Sequence, residues 1–549
     1  MGIALLWVLS LASALLLVAA VTAFTGTLKR FKIRIILPTL SALAPLLAGV
    51  GVMVFAYKLS GPELLGFFGY MVSWTFIYLA GVVYILMPSF SMIKRDPIAC
   101  VRLRGKLAAS FGVVLAICFC VLLILDNTTR IKFGVIRSEA VSTALALQPP
   151  RVSDHLNASL IYEKAFKAME EKELPDWWGE IAEPAFDSSK GEVRAFLEGK
   201  REALTLLQLA ASMPGYYVKV DHLKGELPRL IPYKNAASLL ALDARCKAAN
   251  REIDASLKNI AAIRLMAAQI KDTPAIIAAI MAAAVQQTGT RTVENILSEG
   301  EPIPAGVVEK PIDDTFGLYE AFIHALRMNE ALMAFTSTSQ LSIHSIDWWI
   351  PLGDLWYRPL FLYDELTAAR EIILDAHTIA AKPYYKSVED WKRWEKSAKS
   401  ARGIITAVPV PFYGRGIEIK ILAAEAGVGL RNLAFATSAY QADHDAYPDS
   451  LEVLTPDYIS HIPTDPFSGK PLKMTSVEGG LILYSVGPDL RDDDGAKEYD
   501  HKLKSKEVNS GDITFLMGTA FADLRLKPSR EYLKKSTQER ELSTKKRKK

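Results

Sequence analysis

Four long runs without a charged residue precede Asp126, and they constrain this chain more than anything that follows. Ile3 to Phe24, Ile35 to Tyr57, Leu64 to Met87 and Leu107 to Leu125 are each long enough, as helices, to cross a hydrocarbon layer of roughly 30 Å. Pro38 and Pro45 within the second run are tolerated in a membrane helix more readily than in a soluble one. The basic residues between the runs set an orientation. Lys29, Arg30, Lys32 and Arg34 fill the first loop, and Lys94, Arg95, Arg102, Arg104 and Lys106 fill the third, whereas the second loop has one lysine and one glutamate. The expectation is a four-helix transmembrane region over residues 1–126 in a bacterial cytoplasmic (inner) membrane, with the N-terminus and everything after Asp126 extracytoplasmic. The competing reading takes the first run as a signal peptide cleaved after "VTA", but a basic n-region is missing and a basic cluster follows at once. No charge interrupts any of the runs, so they read as an anchor rather than a conduit.

With 549 residues the chain has room for several domains, and a net charge of +4 points to no general polyanion partner. Nucleic acid is therefore not an expected ligand. The cysteines are Cys100, Cys118, Cys120 and Cys246; one alone lies in the large hydrophilic part, which excludes a disulfide framework there.

Residues 127–407 read as an all-α extracytoplasmic domain. In "LLALDARCKAANREIDASLKNIAAI" the apolar positions Leu239, Leu242, Cys246, Ala249, Ile253, Leu257 and Ile260 recur at steps of three and four, with charges between them. Thr273 and Pro274 then suit the N-cap and first position of a further helix. Tryptophans gather at Trp177 and Trp178, at Trp348, Trp349 and Trp356, and at Trp391 and Trp394. They admit two readings, a ligand groove or core packing. The sequence holds no HExxH, GxSxG or phosphate-binding loop, and no nucleophile, base and orienting group assemble. The leaning is therefore to a non-enzymatic protein. The alternatives are an extracytoplasmic enzyme with His344, Asp347 and Asp354 in the Trp-rich patch, or an accessory or sensor subunit of a membrane complex.

"VPVPFYGRG" from Val408 reads as a linker. After it come a helix from about Ile417 to Gln441, a short helix over Ser450 to Leu454, and strands over Leu472–Thr475, Leu481–Val486 and Gly511–Met517, the first two joined through "EGG". Residues 408–525 thus form a small α+β domain with a short antiparallel sheet. The tail 526–549, rich in lysine and arginine, reads as a disordered, solvated terminus or an electrostatic tether. The stretch "YSVGPDLRDDDG" packs aspartates into a turn after a strand, but it fails the EF-hand register, because Leu490 stands where an acid is needed and His501 where the closing glutamate should be.

The order "YQADHDAYPDSLEVL", "YISHIPTDPFSGKPL", "LYSVGPD" and "GDI" resembles the globular part of the major pseudopilins of type II secretion systems, over roughly Ile417 to Phe515. The whole arrangement is also similar to that of uncharacterised bacterial envelope proteins, a likeness that implies no activity. The pseudopilin resemblance implies a long helix packed on a small antiparallel sheet, and a calcium ion in the loop after the S-x-G-x-D strand. Matched by motif, Asp489 takes the place of that aspartate and Asp512 that of the aspartate before the last strand. Asp492, Asp493 and Asp494 fall in the acidic stretch between and complete the candidate ligand set. The chain begins unlike a pseudopilin, so leader processing and filament incorporation are not implied. The expected function is that of a membrane-anchored extracytoplasmic protein whose calcium-stabilised module binds a protein partner in envelope assembly or secretion.

Overall fold

The computed structural model describes residues 97–170, 174–218, 228–299, 303, 317–339, 363–400, 414–496 and 510–536, and helix dominates among them. The chain divides into two compact units, one of residues 1–138, 337–372 and 396–410 and the other of residues 139–336, 373–395 and 411–549. The longest helix is α1 (Pro97–Ala146). Past Leu125 it carries Asp126, Arg130, Lys132, Arg137 and Glu139. Arg130 pairs with Asp126 at 2.7 Å, and Lys132 lies 4.4 Å from the centroid of the Tyr363 ring.

The expected transmembrane region is not supported. Among the described residues no helix is long and apolar enough to cross a membrane. The runs from Ile3, Ile35 and Leu64 lie outside the described residues. The run Leu107 to Leu125 falls inside α1, which does not stop at Asp126 but continues without a break as a charged helix to Ala146. An uncharged run does not report what the helix around it carries. The inner-membrane localisation and the extracytoplasmic placement of the C-terminal part rested on those spans and fall with them.

The second unit is built from helix pairs. α2 (Ala158–Glu170), α3 (Gly191–Gly199) and α4 (Arg201–Ser212) precede the long hairpin of α5 (Ile231–Ala249) and α6 (Ile253–Lys271), against which α7 (Ile276–Glu299) packs. The apolar repeat from Leu239 to Ile260 is therefore not one helix. It passes through a turn at Asn250 and Arg251, where Arg251 adopts a φ of 65°. Across that turn Ser256 Oγ donates to Ala244 O at 2.8 Å and Asn259 Nδ2 to Asp243 Oδ2 at 2.6 Å. Of the repeat, Leu239, Leu242, Cys246 and Ile260 are buried, Ile253 and Leu257 are partly buried, and Ala249, next to the turn, is exposed. Pro274 lies two residues before α7 rather than in its first turn. α8 (Leu318–Ser339), α9 (Tyr363–Ala380) and α10 (Tyr384–Ser400) follow.

Buried Arg245 on α5 shows how an irregular segment is held. Its guanidinium donates to the carbonyls of Ile181, Glu183, Pro184 and Phe186 at 2.8–3.1 Å, satisfying main-chain acceptors that no helix or strand can take up. Ser529 also reaches this loop, donating to Glu183 Oε2 at 3.0 Å, and Ser536 Oγ donates to Glu180 Oε1 at 2.6 Å. The chain is helical up to residue 536, so the first part of the charged tail is ordered against the protein.

α11 (Arg415–His444) is longer than its sequence signal at both ends. Beside it lies an antiparallel sheet of β1 (Lys473–Val477), β2 (Gly480–Ser485) and β3 (Ile513–Gly518), with β2 in the middle. The hairpin forms where "EGG" places it, with Val477 paired to Gly480. Every residue of β2 is buried, as expected of a central strand covered on both faces. One core joins this module to the helices: Ile260, Val293 and Ile296 pack in the same apolar cluster as Leu433, Leu481, Leu483 and Phe515. The outer edge of β3 is closed by side chains of α7. Leu516 N donates to Glu294 Oε1 at 2.8 Å, and Ser298 Oγ donates to Leu516 O at 2.8 Å. These bonds stand in for a fourth strand. Ser298→Ala is expected to lower stability by about 1 kcal/mol, read as a fall in urea midpoint at constant m-value; an unchanged midpoint would show that the edge closure contributes nothing.

Candidate functional site

The loop after β2 takes its shape from residues with left-handed backbone. Gly487 has a φ of 66°, Leu490 61°, Asp494 54° and Gly495 76°. At Gly487 an added Cβ would stand 2.1 Å from Gly511 O, so this position brings two strands of main chain closer than any side chain allows. The PTDPFSG turn holds the near side. Asp465, which motif reasoning passed over, is almost fully buried. Its carboxylate accepts Phe467 N at 3.0 Å, Ser468 Oγ at 2.8 Å, Ser485 Oγ at 2.7 Å and Val486 N at 3.3 Å. Ser485 is the serine of S-x-G-x-D, so the motif encodes a lock between turn and strand as well as a loop.

The five candidate aspartates take different roles. Asp489 accepts Gly511 N at 2.9 Å and Arg491 N at 3.1 Å, which clamps the loop to the start of β3. Asp492 pairs with Lys473 of β1, accepts Tyr484 Oη at 3.1 Å and Asp494 N at 3.2 Å, and its carboxyl is held below the usual range chiefly by the lysine. Asp494 lies 3.4 Å from the Tyr484 hydroxyl. Asp493 sits in the turn closed by Ala496 N donating to its carbonyl at 2.9 Å.

Asp512 differs from the other four. It is fully buried; Oδ2 accepts Gly495 N at 2.8 Å, whereas Oδ1 is buried without a hydrogen-bond partner. Burial first, then the charges of Asp493 and Asp492, push its carboxyl up to about 6, against the pull of the Gly495 and Asp493 amides. A buried carboxylate oxygen facing further negative charge is an arrangement that a cation relieves. Among the described residues no group of three or more His, Cys, Asp or Glu side chains is gathered as a metal site. A cation here would therefore rest on Asp512 Oδ1 rather than on a gathered cage of acidic side chains.

Behind the loop lies a second buried acid, which no motif flagged. Glu418, in the first turn of α11, is fully buried. Its Oε1 is 2.6 Å from Tyr319 Oη, which is also 2.6 Å from Ala380 O. One turn before it, Arg415 Nη2 donates to Tyr384 Oη at 2.7 Å and to Pro488 O at 3.0 Å, and Tyr384 Oη is 2.8 Å from the same carbonyl. Pro488 is the residue before Asp489, so this cluster fixes where the acidic loop begins.

Trp391 and Trp394 pack edge to face at 5.4 Å in the core. Trp348, Trp349, Trp356 and the alternative catalytic candidates His344, Asp347 and Asp354 lie outside the described residues, as do the lysines of residues 497–509. No family model matches the chain, and no curated protein or solved structure matches it significantly.

Proposed function

We propose that residues 414–518 form a calcium-stabilised, pseudopilin-like module that serves protein binding in secretion or assembly rather than catalysis. The single observation that carries the calcium half is the buried, unpartnered Oδ1 of Asp512 beside Asp492 and Asp493. Support for the module comes from α11 packed on a three-stranded antiparallel sheet and from the Ser485–Asp465 and Asp489–Gly511 bonds, which give the motif residues separate mechanical jobs. A ligand at Asp512 would neutralise the loop and pin β3 to β2. Asp489 already holds Gly511 without a cation, so its role is to shape the site.

The test is thermal unfolding of the full chain in calcium and in chelator. For a site with Kd around 10⁻⁴–10⁻³ M, about 10 mM calcium adds roughly 1.4–2.7 kcal/mol of stability. Lys473→Ala, which frees Asp492, is expected to tighten binding several-fold. Identical melting in calcium and chelator would remove the calcium reading. The protein-binding half is tested by pull-down with the intact chain in both conditions, and it fails if no partner is retained in either.

A further inference from the structure

Far from the acidic loop, a cavity of about 780 Å³ opens between the C-terminal end of α2 and the N-terminal ends of α5 and α7. That volume falls within the roughly 300–1,000 Å³ of sites that enclose small organic ligands. Its wall is apolar, with Phe166, Met169, Leu174, Ile231, Ile277 and Met281. Three of these carry unusual exposure for their type: Ile231 is 76% exposed, Leu174 47% and Ile277 41%. The back of the cavity is firm, because Phe166 meets Tyr233 edge to face at 4.8 Å and Tyr233 meets Tyr162 at 5.1 Å.

The rim has a sign. α5 and α7 both start at this cavity with no acidic residue in their first turns, and α5 has no side-chain cap. Their partial positive ends face the mouth. Arg229 and Asn235 stand beside them, and Arg229 is exposed, with no acid paired to it among the described residues. Among the described residues, the one acid in the lining is Glu170, at the end of α2.

We propose that this cavity binds a long-chain carboxylic acid, with its hydrocarbon chain along the Met169–Ile277–Met281 wall and its carboxylate on the guanidinium of Arg229. The wall supplies the apolar area that favours a chain, and the rim supplies donors and positive charge for an anionic head. A ligand with a neutral head gains the first and not the second.

The experiment is displacement of a fluorescent fatty acid from the purified full chain by palmitate and, separately, by hexadecanol. Palmitate is expected to displace the probe at one saturable site. Met281→Trp, which fills the cavity, is expected to weaken binding at least about tenfold, and Arg229→Gln to weaken palmitate about tenfold while leaving hexadecanol unchanged. Ile231→Asp repeats the first arm at an exposed position where folding is not at stake, with thermal unfolding as the control. Absence of saturable binding, unchanged affinity in Ile231→Asp, or equal losses of acid and alcohol in Arg229→Gln each overturn the proposal.

Discussion

Glu418→Gln is expected to stabilise the protein at pH 8 by up to about 3 kcal/mol and to leave it unchanged at pH 4.5. The reason is burial, which one hydroxyl with two neighbours does too little to offset. Tyr319 Oη is 2.6 Å from both Ala380 O and Glu418 Oε1, and its single proton can serve one of them. Ala380 O is a carbonyl and can only accept. If Tyr319 donates to it, the bond to Glu418 forms only when the carboxyl is protonated and donates to Tyr319. Burial pushes the Glu418 carboxyl up from 4.5 to about 7, against the smaller influences of Tyr319, Arg415 and Trp391, and it drives the Tyr319 hydroxyl upward as well. Because the folded value lies above the unfolded one, the folded state holds its proton longer. Stability is then lost as pH rises from about 4.5 to about 7, and the loss is complete above that. Glutamine keeps the acceptor and donor pattern of the neutral acid and removes the titration. Urea unfolding of both proteins from pH 4.5 to 8 reads the effect; parallel curves across that range would mean that Glu418 is ionised in the fold.

This pair of residues also marks where sequence reading reached its limit. The α11 helix and the three strands were legible, because apolar steps of three and four and short apolar runs bounded by turn residues are local signals. The Asp465 and Glu418 sites were not, since the bond from Ser485 to Asp465 spans 20 residues and that from Tyr319 to Glu418 spans 99. The closure of β3 by Glu294 and Ser298 was equally hidden, as the two polar residues look like ordinary helix surface. At Arg251 a non-glycine residue takes a left-handed conformation, so the turn between α5 and α6 carries no breaker that a pattern could flag. The apolar runs failed in the opposite way: a strong local signal was extended into an architecture and a location that the described helices do not support. Of the acidic loop, the motif singled out Asp512 and Asp489, and each accepts a main-chain hydrogen bond. It could not say that Asp489 spends its oxygens on Gly511 and Arg491, or that a lysine two strands away in sequence occupies Asp492.

Asp512→Asn separates the folding role of this loop from its cation role. In chelator at pH 7.5 the variant is expected to be more stable than the parent by up to about 3 kcal/mol, from a carboxyl raised from its ordinary value near 3.8 to about 6. The sign follows as for Glu418: the parent loses stability as pH rises from about 3.8 to 6, whereas the amide does not titrate. Asparagine Oδ1 still accepts Gly495 N, and its Nδ2 takes the place of the unpartnered oxygen and presents donors to Asp492 and Asp493, turning repulsion into attraction. With calcium present the comparison shifts the other way. The parent gains the binding free energy, and the variant, lacking the buried oxygen, gains little. Melting of both proteins in chelator and in calcium gives four values whose pattern decides the matter. If Asp512→Asn is the less stable protein in chelator, the carboxylate is a structural acceptor and not a strained one. If both proteins respond equally to calcium, the ion binds elsewhere. A variant stable in chelator and unresponsive to calcium is the outcome that Asp512, with its Oδ1 buried without a partner and its carboxyl raised by the charges of Asp493 and Asp492, requires of a cation site.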